Sequence, residues 1–178
     1  MTSNINAAIL TAAKAVKLLI LDVDGVLTNG ELFFFADGEY KAFNTRDGLG
    51  IALLVSEGIK LAVISGNHSE AVEQRFKKFG ITHIYQGIDD KNLVYQQIKS
   101  ELKLNDNEVA YMGDDLIDLP VMSQVGLPTA VADADKFVQQ HAHWVSQYNG
   151  GQGAVRELCE LILTAKGRLN AIRQGFVT

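Results

Sequence analysis

Cysteine is nearly missing from this sequence: among 178 residues, Cys159 stands alone. One thiol excludes an intrachain disulfide and a cysteine-rich metal site. Its neighbours Val155, Leu158 and Ile162 make an apolar helical pattern, so a buried core thiol is expected. Proline is almost as scarce, with only Pro120 and Pro128. No Pro- or Ser-rich linker, internal repeat or low-complexity stretch divides the chain, and its length suits one domain over 1–178. Long apolar runs are absent too, since none reaches the ~18 residues that span a bilayer. The stretch Met1 to Lys17 has no basic segment before Ala7-Ala8-Ile9-Leu10 and is broken by Asn4, Asn6, Thr11 and Lys14. A short amphipathic helix is expected there rather than a secretory signal, hence a cytoplasmic protein with no membrane partner. Positive charge is the last shortage: 16 Lys and Arg face 21 Asp and Glu, a net charge of −5. That balance argues against a nucleic-acid binder. It leaves an anionic substrate open, because a divalent cation and a few basic residues can reverse the potential locally.

What is present is an alternation of strand-length apolar runs with helical patterns. Leu18-Leu19-Ile20-Leu21, Leu61-Ala62-Val63-Ile64 and Val109-Ala110-Tyr111-Met112 read as buried strands; Thr129-Ala130-Val131 and Ile84-Tyr85 are weaker ones. Helical patterns fall at about 48–57, 68–79, 91–102, 116–125, 134–141 and 153–166. The expected fold is α/β, a three-layer Rossmann-like sandwich with a central parallel sheet and right-handed crossovers. Ligands in such sheets bind beyond the carboxyl ends of the strands, so the residues just after each strand matter most. One segment breaks the alternation. Residues 31–43 hold two strand-like runs around Asp37-Gly38, a hairpin signal, placed to project over the end of strand one. So aromatic a hairpin is expected to pack against its own domain or a neighbouring subunit.

The chemistry-bearing residues follow the strands. Strand one runs into Asp22-Val23-Asp24-Gly25-Val26-Leu27-Thr28. Two carboxylates at i and i+2 after a buried strand are costly unless a cation neutralises them. One can attack phosphorus while the other manages protons; the plain alternative is an Asp-rich capping turn. Strand two is followed by Ser65-Gly66-Asn67, where a hydroxyl and backbone N–H groups can hold phosphate oxygens or simply cap a helix. Lys91, after Asp89-Asp90, is either a solvated charge or a cation that neutralises phosphate and holds Asp22 ionised. Strand three ends in Gly113-Asp114-Asp115-Leu116-Ile117-Asp118. Asp114 can complete a hard, oxygen-lined Mg²⁺ site with Asp22 and Asp24, while Asp115 and Asp118 also suit a helix start.

The order Asp-Val-Asp-Gly-Val, Ser-Gly, Lys, Gly-Asp-Asp-x-x-Asp resembles the haloacid dehalogenase superfamily of phosphotransferases. Asp22 to Gly30, Phe43 to Gly50, Gly80-Ile81-Thr82-His83, Tyr111 to Asp118 and Gly150 to Glu157 further resemble the 3-deoxy-D-manno-octulosonate 8-phosphate phosphatase family. The resemblance covers about residues 17–167 and implies a Mg²⁺-dependent phosphatase without a separate cap domain. It implies that Asp22 forms an aspartyl-phosphate, that Asp24 acts as general acid and then base, and that Ser65 and Lys91 bind the phosphoryl group. Mg²⁺ would sit on Asp22, the Asp24 backbone carbonyl and Asp114, with Asp115 and Asp118 behind them.

By the same resemblance, Asn44, Thr45, Arg46, Asp47 and Gly48 would contact a sugar-acid substrate, together with Gly66, Asn67 and Arg75. An arginine suits its carboxylate. Local readings compete: an ion pair for Arg46-Asp47 and a surface charge for Arg75. Many family members carry Arg after Ser/Thr-Gly, whereas this chain has Asn67, which removes a cation from that pocket. The family forms tetramers in which such hairpins pack together, implying a homotetramer. Residues 167–178 resemble its flexible C-terminus, with terminal fraying as the alternative. The implied reaction is hydrolysis of the eight-carbon keto-sugar acid phosphate in lipopolysaccharide precursor synthesis. A nine-carbon homologue of that substrate and a non-catalytic oligomerisation module are the alternatives.

Overall fold

Leu18-Leu19-Ile20-Leu21 is buried along its whole length, the mark of a strand covered on both faces. The computed structural model describes residues 6–36 and 38–177. The chain opens with α1 (Ala7–Ala15), β1 (Leu18–Leu21) and a two-stranded hairpin of β2 (Phe33–Phe35) and β3 (Gly38–Tyr40). It continues through α2 (Thr45–Ser56), β4 (Lys60–Ile64), α3 (Glu70–Lys77), β5 (His83–Tyr85) and α4 (Lys91–Leu102). Then come β6 (Val109–Gly113), α5 (Leu119–Met122), β7 (Leu127–Ala130), α6 (Lys136–His141), β8 (Trp144–Val145), α7 (Ala154–Ala165) and α8 (Leu169–Gln174).

Six strands form one sheet in the order β5-β4-β1-β6-β7-β8. Every pairing in it is parallel, so the expected parallel α/β sandwich is present. From β1 the chain steps outward through β4 to β5, then crosses back to β6 and steps the other way. The switch of direction lies between β1 and β6, where Leu21 pairs with Met112, and the ends of these two strands open the crevice in which such sheets bind ligands. α1, α2 and α7 pack together on one face, while α4, α5 and α6 pack in series on the other. Beyond the hairpin the described residues contain no cap domain. None of their helices is long and apolar enough to cross a membrane.

Several elements differ from the sequence expectation. The pattern at 116–125 is split into a 3₁₀ turn, Leu116–Asp118, and the single-turn α5, because the Asp118 side chain folds back onto the N–H groups of Asp114 and Asp115. α3 begins at Glu70 rather than 68, since Ser69 is extended (φ −148°, ψ 130°). β8 was not expected; two residues beside the sheet edge carry no periodicity. Residues 169–174 form α8, tied down by Arg168 to Glu57 and Arg173 to Glu160. In the hairpin Phe35 pairs with Gly38, while Asp37 of the expected Asp-Gly turn lies outside the described residues. Cys159 is fully buried on α7; burial and nearby Asp47 push its thiol well up.

Candidate active site

Asp22 continues the β1 ladder by donating its N–H to Met112 O at 3.1 Å, which fixes it at the strand's carboxyl end. The chain then turns tightly: Val23 O accepts from the N–H groups of Val26, Leu27 and Thr28. Thr28, buried, pins the loop by accepting from Gly25 N and Gly30 N at 3.4 and 3.2 Å. Gly25 has φ +88°, and a Cβ there would lie 2.0 Å from Asp114 Oδ2. Only glycine permits both that turn and that approach. A second clamp comes from Gly150, whose backbone packs so closely on Gly25 O that a Cβ would meet it at 1.7 Å. Gly151 N donates to Val26 O at 2.9 Å.

Lys91, the first residue of α4, is buried. Its Nζ lies 2.8 Å from Asp22 Oδ1 and 2.7 Å from Asp118 Oδ1. Burial works against its charge, but Asp22 and Asp118 outweigh it and leave the pKa above the ordinary lysine value. Asp118 is fully buried and saturated: Oδ1 also accepts from Tyr111 Oη at 2.6 Å, and Oδ2 accepts from Asp114 N and Asp115 N at 2.9 and 3.3 Å. Asp115 is exposed and caps the 3₁₀ turn, accepting from Leu116 N. Burial and the charge of Asp118, against the pull of Lys91, raise the Asp22 carboxyl to about 6. Burial and the charges of Asp22 and Asp118 raise Asp114 to about 8.

Asp24 is gripped at both oxygens. Lys41 Nζ, just past β3, lies 2.5 Å from Oδ1, and Asn67 Nδ2 donates to Oδ2 at 3.0 Å. Lys41 also pairs with Glu39 at 2.9 Å, and its side chain is 1% exposed. Burial works against its charge, but Asp24 and Glu39 outweigh it and hold its pKa above the usual lysine value. Ser65 is buried at the end of β4, with Oγ accepting from Asn67 N at 3.2 Å.

Beside Asp22 lies a cavity of about 380 Å³. Asp22, Asp24, Ser65, Gly66, Asn67, Lys91, Asp114 and Asp115 all face it, as the sequence placed them; Ile88, Asp89 and Ile117 join the lining. Segment 44–48 and Arg75 do not line it. Asn44 caps α2 by accepting from Arg46 N and Asp47 N and donates to Gly151 O at 3.0 Å. Thr45 and Arg46 are exposed. Asp47 is buried, and its Oδ1 accepts from Arg156 N at 2.7 Å in the first turn of α7. Burial pushes its carboxyl above the usual range, against the pull of the Arg156 and Gly153 N–H groups. Arg75 lies against Gly48 and over the Phe79 ring, 5.0 Å from its centroid.

The donor set suits a hard divalent cation. Asp22, Asp114 and Asp118 offer carboxylate oxygens all within 4.8 Å of one another. Asp114 Oδ1 is buried without a hydrogen-bond partner, and Lys91 is the single cation among three carboxylates. Since Asp118 is saturated by its own donors, the fit rests on Asp22 and Asp114. Few carboxylates on an open cavity is the arrangement Mg²⁺ favours, because it keeps waters and takes phosphate oxygens.

The sequence reading missed Lys41, Tyr111 and Asp89. Lys41 and Tyr111 stand at a strand end and inside a strand, and only the fold brings them to Asp24 and Asp118. Asp89 was visible beside Lys91, but nothing in its own spacing separated it from a turn residue.

The haloacid dehalogenase-like hydrolase family profile matches residues 80–158. The 3-deoxy-D-manno-octulosonate 8-phosphate phosphatase of Yersinia pestis is 47% identical over 162 residues, covering 90% of this chain and 87% of that protein. A crystal structure under that name from the same organism matches with TM-score 0.92 at 46% identity, over 93% of this chain and 90% of that one. The phosphatase of the same name from Moraxella catarrhalis, solved with a magnesium ion, a phosphate ion and a KDO molecule, matches with TM-score 0.92. It is 39% identical and covers 94% of this chain and 97% of that one. The cobalt-bound Haemophilus influenzae phosphatase is 37% identical with TM-score 0.89, covering 94% and 99%.

Proposed function

The chain belongs to the 3-deoxy-D-manno-octulosonate 8-phosphate phosphatase family, phosphoric monoester hydrolases of the haloacid dehalogenase-like fold, and from that premise we propose that it hydrolyses this eight-carbon keto-sugar acid phosphate to the free sugar acid and phosphate. The carrying observation is the convergence of Asp22, Asp24, Ser65, Lys91 and Asp114 on one cavity, in a chain alike over nearly its whole length to phosphatases of that name.

In this reading an Asp22 oxygen attacks phosphorus as the bond to the sugar oxygen breaks, and Asp24 gives that oxygen its proton. The products of this half are an aspartyl-phosphate on Asp22 and the free sugar acid. Asp24, now ionised, takes a proton from a water whose oxygen attacks the same phosphorus. The bond to Asp22 breaks, phosphate leaves, and both side chains return to their starting states. The Ser65 hydroxyl, the N–H groups of Gly66 and Asn67, and Lys91 hold the phosphoryl oxygens while charge redistributes. Asp22, Asp114 and the Asp24 carbonyl would hold Mg²⁺, with Asp115 and Asp118 behind them; when bound it neutralises charge on the transferred group. Lys91 keeps Asp22 ionised and aimed.

An arginine would take the keto-acid carboxylate. Arg46, exposed at the start of α2, is the first candidate, and Arg75, engaged over Phe79, the second; Asn44, Thr45, Asp47 and Gly48 would shape that end. The exposed Leu32, Phe33, Phe34 and Phe35 of the hairpin support a homotetramer built on it. A single phosphatase domain working in the cytoplasm on a lipopolysaccharide precursor completes the reading. Asn67, bound to Asp24 rather than offering a cation, keeps a nine-carbon keto-sugar acid phosphate as the second reading. A kinetic comparison of the two phosphates with purified protein decides. A higher kcat/KM for the eight-carbon compound supports the proposal, and a preference for the nine-carbon compound overturns it.

A further inference from the structure

The hairpin is mostly exposed, yet the charged side chain at its exit is covered from solvent. Lys41 follows β3 directly, has a side chain only 1% exposed, and pairs with Glu39 and with Asp24. Burying an ammonium is costly unless paired charges compensate, so a lysine placed here only to pack the hairpin would be a poor choice. A hydrophobic residue would serve that end better. Its 2.5 Å contact is with Asp24 Oδ1, and the other oxygen is held by Asn67 at 3.0 Å.

The two donors come from different parts of the fold. Lys41 arrives from the hairpin exit and Asn67 from the turn after β4. Asp24 itself sits in a loop, where two side-chain torsions would otherwise leave it several rotamers. Two donors on opposite oxygens define the plane of the carboxylate as well as its position. A general acid is effective only within hydrogen-bond reach of the oxygen it protonates, and a misplacement of about 1 Å costs rates of the order of 10²-fold.

We propose that Lys41 is a positioning residue for the acid step: by gripping Asp24 from the hairpin, with Asn67 opposite, it holds the carboxyl aimed at the leaving-group oxygen. The inference rests on the reading of Asp24 as the general acid. It also makes hairpin placement and acid placement one event, because the residue that fixes the acid belongs to the hairpin.

The test separates acid positioning from general damage. Leaving-group release is followed in a single turnover with enzyme in excess and Mg²⁺ present, which reads only the first half of the reaction. Two substrates are compared: a sugar phosphate, whose alkoxide needs a proton to depart, and p-nitrophenyl phosphate, whose phenolate does not. For Lys41→Met the loss on the sugar phosphate is expected to exceed that on p-nitrophenyl phosphate by about tenfold or more. Lys41→Arg should recover most of it. Equal losses on the two substrates for Lys41→Met overturn the proposal.

Asp24→Asn is run beside it. A discriminating loss there with equal losses for Lys41→Met refutes the positioning role alone. Equal losses for Asp24→Asn refute the acid assignment, and the proposal falls with it. Should Lys41→Met fail to fold, Lys41→Gln carries the same expectation. Glu39→Gln removes the second carboxylate but leaves Lys41 on Asp24, so its ratio should stay near the unsubstituted value. A shift as large as that of Lys41→Met would assign the effect to hairpin packing and overturn the proposal.

Discussion

The Lys91 ammonium lies 2.8 Å from Asp22 Oδ1, with both side chains buried. Such a pair is a poor source of net stability, because desolvation offsets most of the attraction. Its use is positional: it holds a carboxylate at the end of β1 ionised and oriented inside the cavity.

Removing the lysine therefore has two expected effects. Lys91→Met leaves Asp22 and Asp118 as uncompensated buried carboxylates. We expect about 3 kcal/mol or more lost from unfolding free energy in urea titrations. Phosphate release should fall by about 10²-fold or more. Unaltered stability would show that the ion pair is not formed as described.

Metal binding should stabilise the fold in a pH-dependent way. Burial and neighbouring carboxylates raise Asp22 to about 6 and Asp114 to about 8 in the metal-free protein. Their folded-state values lie above the unfolded value of 3.8. Their contribution to stability is therefore complete below that value and is lost as pH rises through about 6 and then about 8. Mg²⁺ competes with the same protons, so its stabilisation grows over that window. Differential scanning calorimetry should show Mg²⁺ raising Tm more at about pH 8 than at about pH 5, and EDTA abolishing the difference. An equal rise at both pH values contradicts a site on these two carboxyls.

Asp47 separates a structural contribution from a substrate contact. Its Oδ1 accepts from Arg156 N at the start of α7, so Asp47→Ala should destabilise the fold by about 1–2 kcal/mol through the lost cap. Asp47→Asn, which keeps an acceptor, should recover most of that loss. A stable Asp47→Ala variant whose KM alone rises would instead make Asp47 a substrate ligand.

Much of this arrangement was legible before folding because the local chemistry was consistent. Four apolar residues ahead of Asp22 described a strand buried on both faces, and the parallel architecture follows from runs of that kind separated by helices. α4 begins and ends where expected, since Asp90 caps it through Asn92 N and Leu93 N, and Lys103 leaves the helix in a left-handed conformation. Asp22, Asp24, Ser65, Lys91 and Asp114 each stand at the carboxyl end of a strand or the start of a helix, so their meeting in one cavity followed from topology. Lys41 was not legible: 17 positions separate it from Asp24, and no period links a hairpin to a loop. The split at 116–125 depended on the inward turn of Asp118, whose partners Lys91 and Tyr111 come from other elements. Segment 44–48 shows a further limit, because a motif likeness does not reveal which of its residues serve the helix ends.

The central claim is that Asp22 is the nucleophile of a Mg²⁺-dependent phosphatase acting on 3-deoxy-D-manno-octulosonate 8-phosphate. The most direct measurement is release of inorganic phosphate from that compound with Mg²⁺, comparing the unsubstituted protein with Asp22→Asn, whose folding and assembly are checked by circular dichroism and light scattering. The account predicts steady release by the former and none above background by a folded Asp22→Asn variant. Turnover surviving in that variant would contradict it.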